Sequence, residues 1–334
     1  MPTPGELFVI GGAEDKLRRR TVLGAFVEAA GGPRARIVVV PTASSLGPEV
    51  VEVYDAVFRK LGAAEVTGAR PENREQASSA AMVERLDDAT GIFMTGGNQL
   101  KLSAVIAGTP FGEAIRAAHE RGVVVAGTSA GASIQSSHMV AFGSGGTTPK
   151  QRMTQVAAGL GLLDGCVVDQ HFEQRNRYGR LLMIVAQSPQ LLGIGVDEDT
   201  AAVVRPGEGT LEVIGRGAVT ILDGSQMVGN AHDAQRNQPL LASGVLLHVL
   251  PAGSRFDLRE RRLLCTGSVL APEVTDELAE ANQDMHRLTR DIAAGDVSPS
   301  YLRRTLRRRH HEPPYEAPGE TPHESPQEGS SHDD

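Results

Sequence analysis

Short apolar runs that each stop at a loop of glycines and small polar residues set the strongest limit on how this chain folds. Leu7–Ile10, Arg36–Val40, Gly91–Met94, Val123–Ala126 and Leu191–Val196 are Val- and Ile-rich stretches of strand length. Nearly continuous apolarity marks strands covered on both faces. Helical periodicity fills the gaps, over Asp15–Ala30, Pro48–Leu61, Ala80–Asp88 and Phe111–Arg121. This alternation predicts an α/β chain with a mostly parallel sheet and helices on both faces. Ligands of such sheets bind where the loops leave the carboxyl ends of the strands. Four loops there have the right chemistry: Gly11–Asp15, Pro41–Ser45, Thr95–Gln99 and Gly127–Gly131. Each joins small residues, which let backbone approach a ligand, to polar side chains. Asn98 and Gln99, the polar end of the third loop, are candidate substrate contacts.

From about Ala201 the runs shorten to Ala201–Val204, Thr210–Ile214, Ala218–Leu222 and Val245–Leu250, split by Gly-rich turns. They predict antiparallel strands completing one domain over residues 1–272. Residues 273–310 follow as a helical, basic extension, with a polar helix at Asp276–Ala294 and a solvated run at Arg303–Arg309. The last stretch, 311–334, is rich in Pro, Glu, Ser and His and is predicted to be disordered.

Composition narrows the function. A net charge of −8 and an aromatic content of 4% with no tryptophan argue against a nucleic-acid partner, which needs a basic face and stacking platforms. No run of 18 apolar residues and no basic-then-apolar leader is present, so no membrane span is expected and the cytoplasm is the expected location. Two cysteines, Cys166 and Cys265, lie far apart in apolar stretches. They are expected to be buried, inert thiols rather than a disulfide or metal site.

Gly127-Thr128-Ser129-Ala130-Gly131 follows a buried strand and precedes a helix expected at Ala132–Ser136. That is the setting of a G-x-S-x-G nucleophile elbow, which lifts the serine hydroxyl above the sheet. The Ala130 amide would then face a developing oxyanion, with the Gly97 amide as second donor. Serine needs a base to take its proton. His171 closes the apolar run Val167–Val168 and opens an arginine-rich segment, so it is the leading candidate. His138, His232 and His119, the last read as a helix-surface residue, stay open on spacing alone; His248 sits inside an apolar strand. The orienting acid would come from Asp197-Glu198-Asp199, directly after a strand, and spacing does not choose among the three. The order serine, histidine, acid differs from that of α/β-hydrolases.

Taken together, GGAEDK (11–16), PTASS (41–45), TGGNQ (95–99), GTSAGAS (127–133), DQHF (169–172) and GVDEDTA (195–201) resemble the S51 serine peptidases, and among them the cyanophycinases. The resemblance spans nearly all of residues 6–272. It implies a three-layer αβα, flavodoxin-like fold related to class I glutamine amidotransferases, and a homodimer. It also implies Ser129 as nucleophile, His171 as base, Glu198 as orienting acid, and no metal or organic cofactor. The implied substrate is cyanophycin, a poly-aspartate with arginine joined to each side-chain carboxyl, released as β-Asp-Arg dipeptides. Asp169, Gln170, Arg175, Arg177 and Arg180 match positions tied to substrate binding there. Their mixed charges suit carboxylate and guanidinium groups. An aspartyl dipeptidase of the same family and a non-catalytic Asp/Arg-binding relative are the alternatives.

Overall fold

A computed structural model describes residues 3–265, so the expected extension at 273–310 and tail at 311–334 lie outside the described residues. β1 (Leu7–Ile10), β2 (Arg36–Val40), β3 (Glu65–Gly68), β4 (Gly91–Met94) and β5 (Val124–Thr128) are parallel neighbours in the order β3-β2-β4-β5-β1. The strand period of two divides their side chains between two cores. Phe8, Ile10, Ile37, Val39 and Phe93 meet α1 (Thr21–Ala29) and α2 (Glu49–Lys60) on one face. Leu7, Val9, Val38, Val40 and Met94 look the other way. On that face they join α3 (Arg74–Ala77), α5 (Gln99–Ile106) and α6 (Pro110–Glu120), with the short α4 (Ala80–Val83) preceding α5 in the chain. Helices on both faces give the flavodoxin-like three layers.

After β5 come α7 (Ala130–Ser133), the hairpin β6 (His138–Gly143) and β7 (Thr154–Ala158), then β8 (Cys166–Gln170), α8 (Tyr178–Gln187) and β9 (Leu192–Val196). β8 and β9 pair in parallel, but in a second sheet. β10 (Thr200–Arg205) and β11 (Thr210–Gly215) return to the first sheet as antiparallel strands beyond β1, and β12 (Ala218–Asp223) pairs with β9. A small ladder of β13 (Val228–Gly229) and β14 (Ala242–Ser243) precedes β15 (Leu246–Pro251), which completes the second sheet as β15-β12-β9-β8. β16 (Arg255–Asp257) and β17 (Arg262–Cys265) bring the first sheet to nine strands.

Several expectations are corrected here. The Leu191–Val196 run, expected in one sheet with the other four, lies in the second sheet. Its glycines fit the packing there: a Cβ at Gly195 would stand 2.4 Å from the Phe172 ring, and one at Gly193 would stand 2.9 Å from Val185. Those residues, with α8, form a third core under this strand. The helix expected from Asp15 begins only at Thr21. The Asp15 carboxylate takes the amides of Leu17, Arg18, Arg19 and Arg20, a local alternative to helix hydrogen bonds. β3 was not anticipated. His119 is not a surface residue of α6 but is 4% exposed. Cys166 is buried as expected, whereas Cys265 is exposed, because β17 is an edge strand with all four residues open to solvent.

Candidate active site

Ser129 stands at the carboxyl end of β5 with φ 53° and ψ −108°, a backbone region costly for any residue with a Cβ. Its neighbours are small by necessity. A Cβ at Gly127 would lie 2.0 Å from the Gly131 carbonyl oxygen, and one at Gly131 would lie 2.2 Å from that of Met94. The Ser129 amide donates to the Ile10 carbonyl at 3.0 Å, tying the elbow to β1. Behind it sits Glu14, 4% exposed. Its carboxylate accepts from the Thr128 hydroxyl at 2.5 Å, the Tyr54 hydroxyl at 2.6 Å and the Lys16 ammonium at 2.7 Å. Burial pushes the Glu14 carboxyl up, but the Lys16 charge and these donors outweigh it and hold the group below the ordinary carboxylate range.

His171 and Glu198 arrive from the second sheet. Gln170 of β8 is paired in register with Val196 of β9, so the residues that follow the two strands emerge together. The loop after β1 couples the sheets: the His171 amide donates to the Gly11 carbonyl at 2.8 Å, and the Asp199 amide to that of Gly12 at 2.9 Å. At Gly12 (φ +104°) a Cβ would lie 2.3 Å from His171 Cε1, so only glycine lets the imidazole sit there. His171 Nε2 is 2.9 Å from Ser129 Oγ, and its Nδ1 is 2.6 Å from Glu198 Oε1. Burial lowers the imidazole's pKa, the Glu198 bond opposes that, and the Arg175 charge adds to the lowering; the net shift is downward. At neutral pH the ring is therefore uncharged and able to accept a proton.

The three acidic neighbours separate by contact. Asp197 accepts the Glu173 and Ala218 amides, each at 3.1 Å, and Asp199 accepts the Asp15 amide at 2.8 Å. Only Glu198 reaches the imidazole, steadied by Gln174, whose Oε1 takes the Glu198 amide at 3.0 Å. Of the other histidines, His138 is exposed at the start of β6, His232 pairs with the neighbouring Asp233, and His248 packs edge-on to Phe256.

The arginine-rich segment is more inward-facing than its composition suggested. Asp169 has no exposed surface; both its oxygens bind Arg180, and Arg177 lies 3.3 Å away. Arg177 also donates to the carbonyl and side chain of Gln170, and burial lowers its pKa to about 10. Gln170 spends its amide nitrogen on Ser133 at 3.2 Å. Arg180 adds a bond to the Gly143 carbonyl at 3.0 Å, fastening β6 to α8. Only Arg175 of these five is open to solvent. The four buried residues thus form a lattice beneath the histidine.

Gly97 (φ +144°) packs so closely on the Ala43 carbonyl that a Cβ would stand 2.1 Å from its oxygen. A Cβ at Gly96 would be 3.3 Å from that of Ser129, so this loop borders the Ser129 side chain. Among the described residues, neither the Gly97 nor the Ala130 amide donates to a protein acceptor. Asn98 caps α5 through Lys101 at 3.0 Å, and Gln99 donates to the Val140 carbonyl at 2.8 Å. A cleft of about 440 Å³ opens here, between Gly97–Leu100 and Ala141–Phe142. Among the described residues no cluster of three or more His, Cys, Asp or Glu side chains is arranged to hold a metal ion.

Sequence reasoning missed the Glu14–Tyr54–Thr128 cluster and Gln174. The one available signal was Glu14 and Asp15 directly after a strand-end Gly-Gly pair; Tyr54 lies in an ordinary helical pattern and carries none.

Residues 7–212 match Peptidase family S51. Over 264 residues the chain is 41% identical to a cyanophycinase of Nostoc sp., covering 78% of this chain and 88% of that protein. The cyanophycinase of Trichormus variabilis matches at the same identity and coverage. Among solved structures, a peptidase from an acI-B1 actinobacterium aligns with a TM-score of 0.53 at 24% identity, over 74% of this chain and 98% of that one. That likeness concerns the fold. No helix among the described residues is long and apolar enough to cross a membrane.

Proposed function

The chain belongs to peptidase family S51 and is a serine-type peptidase, and from that premise we propose that it hydrolyses cyanophycin to β-Asp-Arg dipeptides through an acyl-enzyme on Ser129. The observation that carries this reading is the hydrogen-bonded series Ser129–His171–Glu198 in a strained elbow. Ser129 Oγ attacks an α-peptide carbonyl between aspartyl units while His171 Nε2 takes its proton. The carbonyl oxygen becomes an oxyanion against the Gly97 and Ala130 amides, each worth on the order of 3 kcal/mol to the transition state. The C–N bond then breaks, and the leaving amine takes the proton from His171. Water, deprotonated by the same imidazole, cleaves the ester and frees Ser129. Glu198 keeps Nδ1 protonated and offsets the imidazolium charge.

Arg175 and the face of the Arg177 lattice stand beside His171 and supply positive charge for aspartyl carboxylates; Asn98, Gln99 and Gln170 line or support the approach. Asp169 and Arg180 serve this reading by fixing that lattice. We extend the proposal to a cytoplasmic homodimer engaged in polymer breakdown, on the strength of the resemblance. Sedimentation measures the oligomeric state directly.

The test is incubation of the full chain with insoluble cyanophycin and mass identification of what is released. β-Asp-Arg from the wild type, and none from a folded Ser129→Ala variant, is the expected result. Cleavage of Asp-X dipeptides alone would point to a dipeptidase, and undiminished hydrolysis by Ser129→Ala would remove the nucleophile assignment.

A further inference from the structure

Seven of the eight phenylalanines are at most 2% exposed, whereas Phe142 is 56% exposed. It is not at a loop tip. Phe142 lies within β6, where the ladder to β7 shifts register between Val140 and Phe142. A bulge of this kind bends a strand and re-aims a side chain, and such bulges are frequent beside active sites. Val140 and Ala141 remain buried, so the shift turns out this one ring. Its backbone is fixed: the Thr154 hydroxyl donates to the Phe142 carbonyl at 2.7 Å, and Gln99 ties Val140 to the Gly97 loop at 2.8 Å. The ring forms one wall of the 440 Å³ cleft that starts at Gly97, and among the described residues no charged side chain lines that cleft.

We propose that Phe142 is a specificity residue whose ring face holds the guanidinium of a substrate arginyl side chain. Aromatic rings attract cations through their quadrupole, and guanidinium stacks on them well because it is planar and weakly hydrated. The Asp169 carboxylate cannot serve that charge, because Arg180 and Arg177 already occupy it. Gln99 completes the subsite: with its Nε2 given to Val140, Oε1 is left to accept from the guanidinium. The proposal deepens the reading of the substrate above and rests on it.

The experiment compares two soluble aspartyl oligomers, one bearing arginine and one bearing its neutral isostere citrulline, on wild type, Phe142→Leu and Phe142→Trp. Leucine keeps apolar bulk but has no ring face. Phe142→Leu is expected to raise KM for the arginyl oligomer about five- to tenfold with kcat within about twofold, while the citrulline substrate changes less than about twofold. Phe142→Trp is expected to retain wild-type discrimination. Equal loss on both substrates, no loss on either, or a Phe142→Leu effect that tracks a change in sedimentation would overturn the subsite. Wild-type protein that cuts neither oligomer would overturn the substrate reading and the subsite with it, and is recognised before any variant is measured.

Discussion

The two halves of the site are encoded differently. On the first-sheet side, Ser129 is fixed by local steric rules: a strand, a turn with glycine at Gly127 and Gly131, and a short helix. On the second-sheet side, His171 and Glu198 are 27 residues apart and meet only because β8 and β9 pair in register. The Gly11–Gly12 loop joins the halves, since it bonds to His171 and Asp199 and leaves room for the imidazole. The proposed catalytic series is thus half a property of a motif and half a property of tertiary pairing, and substitutions on the two sides should fail in different ways.

The largest effect is expected on the second-sheet side. Replacing His171 by alanine should lower hydrolysis by about 10⁴-fold or more, and Glu198→Gln by about 10²- to 10⁴-fold, with melting temperatures near wild type. Steady-state kinetics beside thermal melts check this. Equal, mild losses from both would contradict an imidazole acting as base.

Packing behind the histidine, within the second-sheet side, is probed by Gly195→Ala. Its Cβ would enter the space of the fully buried Phe172 ring, the residue after His171. Overpacking of this kind costs about 1–3 kcal/mol, and kcat should fall more than stability alone explains, because the histidine moves with the ring. Denaturant titration and kcat on the same preparations separate the two.

On the first-sheet side, Thr128→Val removes the hydroxyl that binds the buried Glu14 carboxylate. Leaving that anion short of a donor should cost about 1–3 kcal/mol and lower kcat without raising KM, while Thr128→Ser restores both. A change confined to KM would contradict a role in holding the elbow.

These contrasts follow what the sequence made legible. The elbow, its strand and the four strand-end loops were readable because glycine requirements and strand periodicity are local. The choice of His171 over His138, and of Glu198 over its neighbours, was not. Contact between strands of a second sheet has no local signature, and apolar runs such as Leu191–Val196 read alike whichever sheet receives them. The arginine segment was legible only in part, since composition shows charges but not that Asp169 pairs with Arg177 and Arg180.

The smallest expected effect is a pH shift. His171 must be neutral to act, so activity should rise with pH through an imidazole pKa that lies below its ordinary value. The Arg175 charge disfavours the imidazolium. Arg175→Gln should therefore raise that pKa and move the acid limb of the kcat/KM profile to higher pH; a shift to lower pH would contradict the sign.

The most direct test of the central claim is covalent trapping. Full-length protein treated with a fluorophosphonate and mapped by peptide mass spectrometry should carry one adduct, on Ser129, formed at least about a hundredfold more slowly in His171→Ala. An adduct on another serine, or labelling of Ser129 at the same rate without the imidazole, would contradict a nucleophile activated across the two sheets.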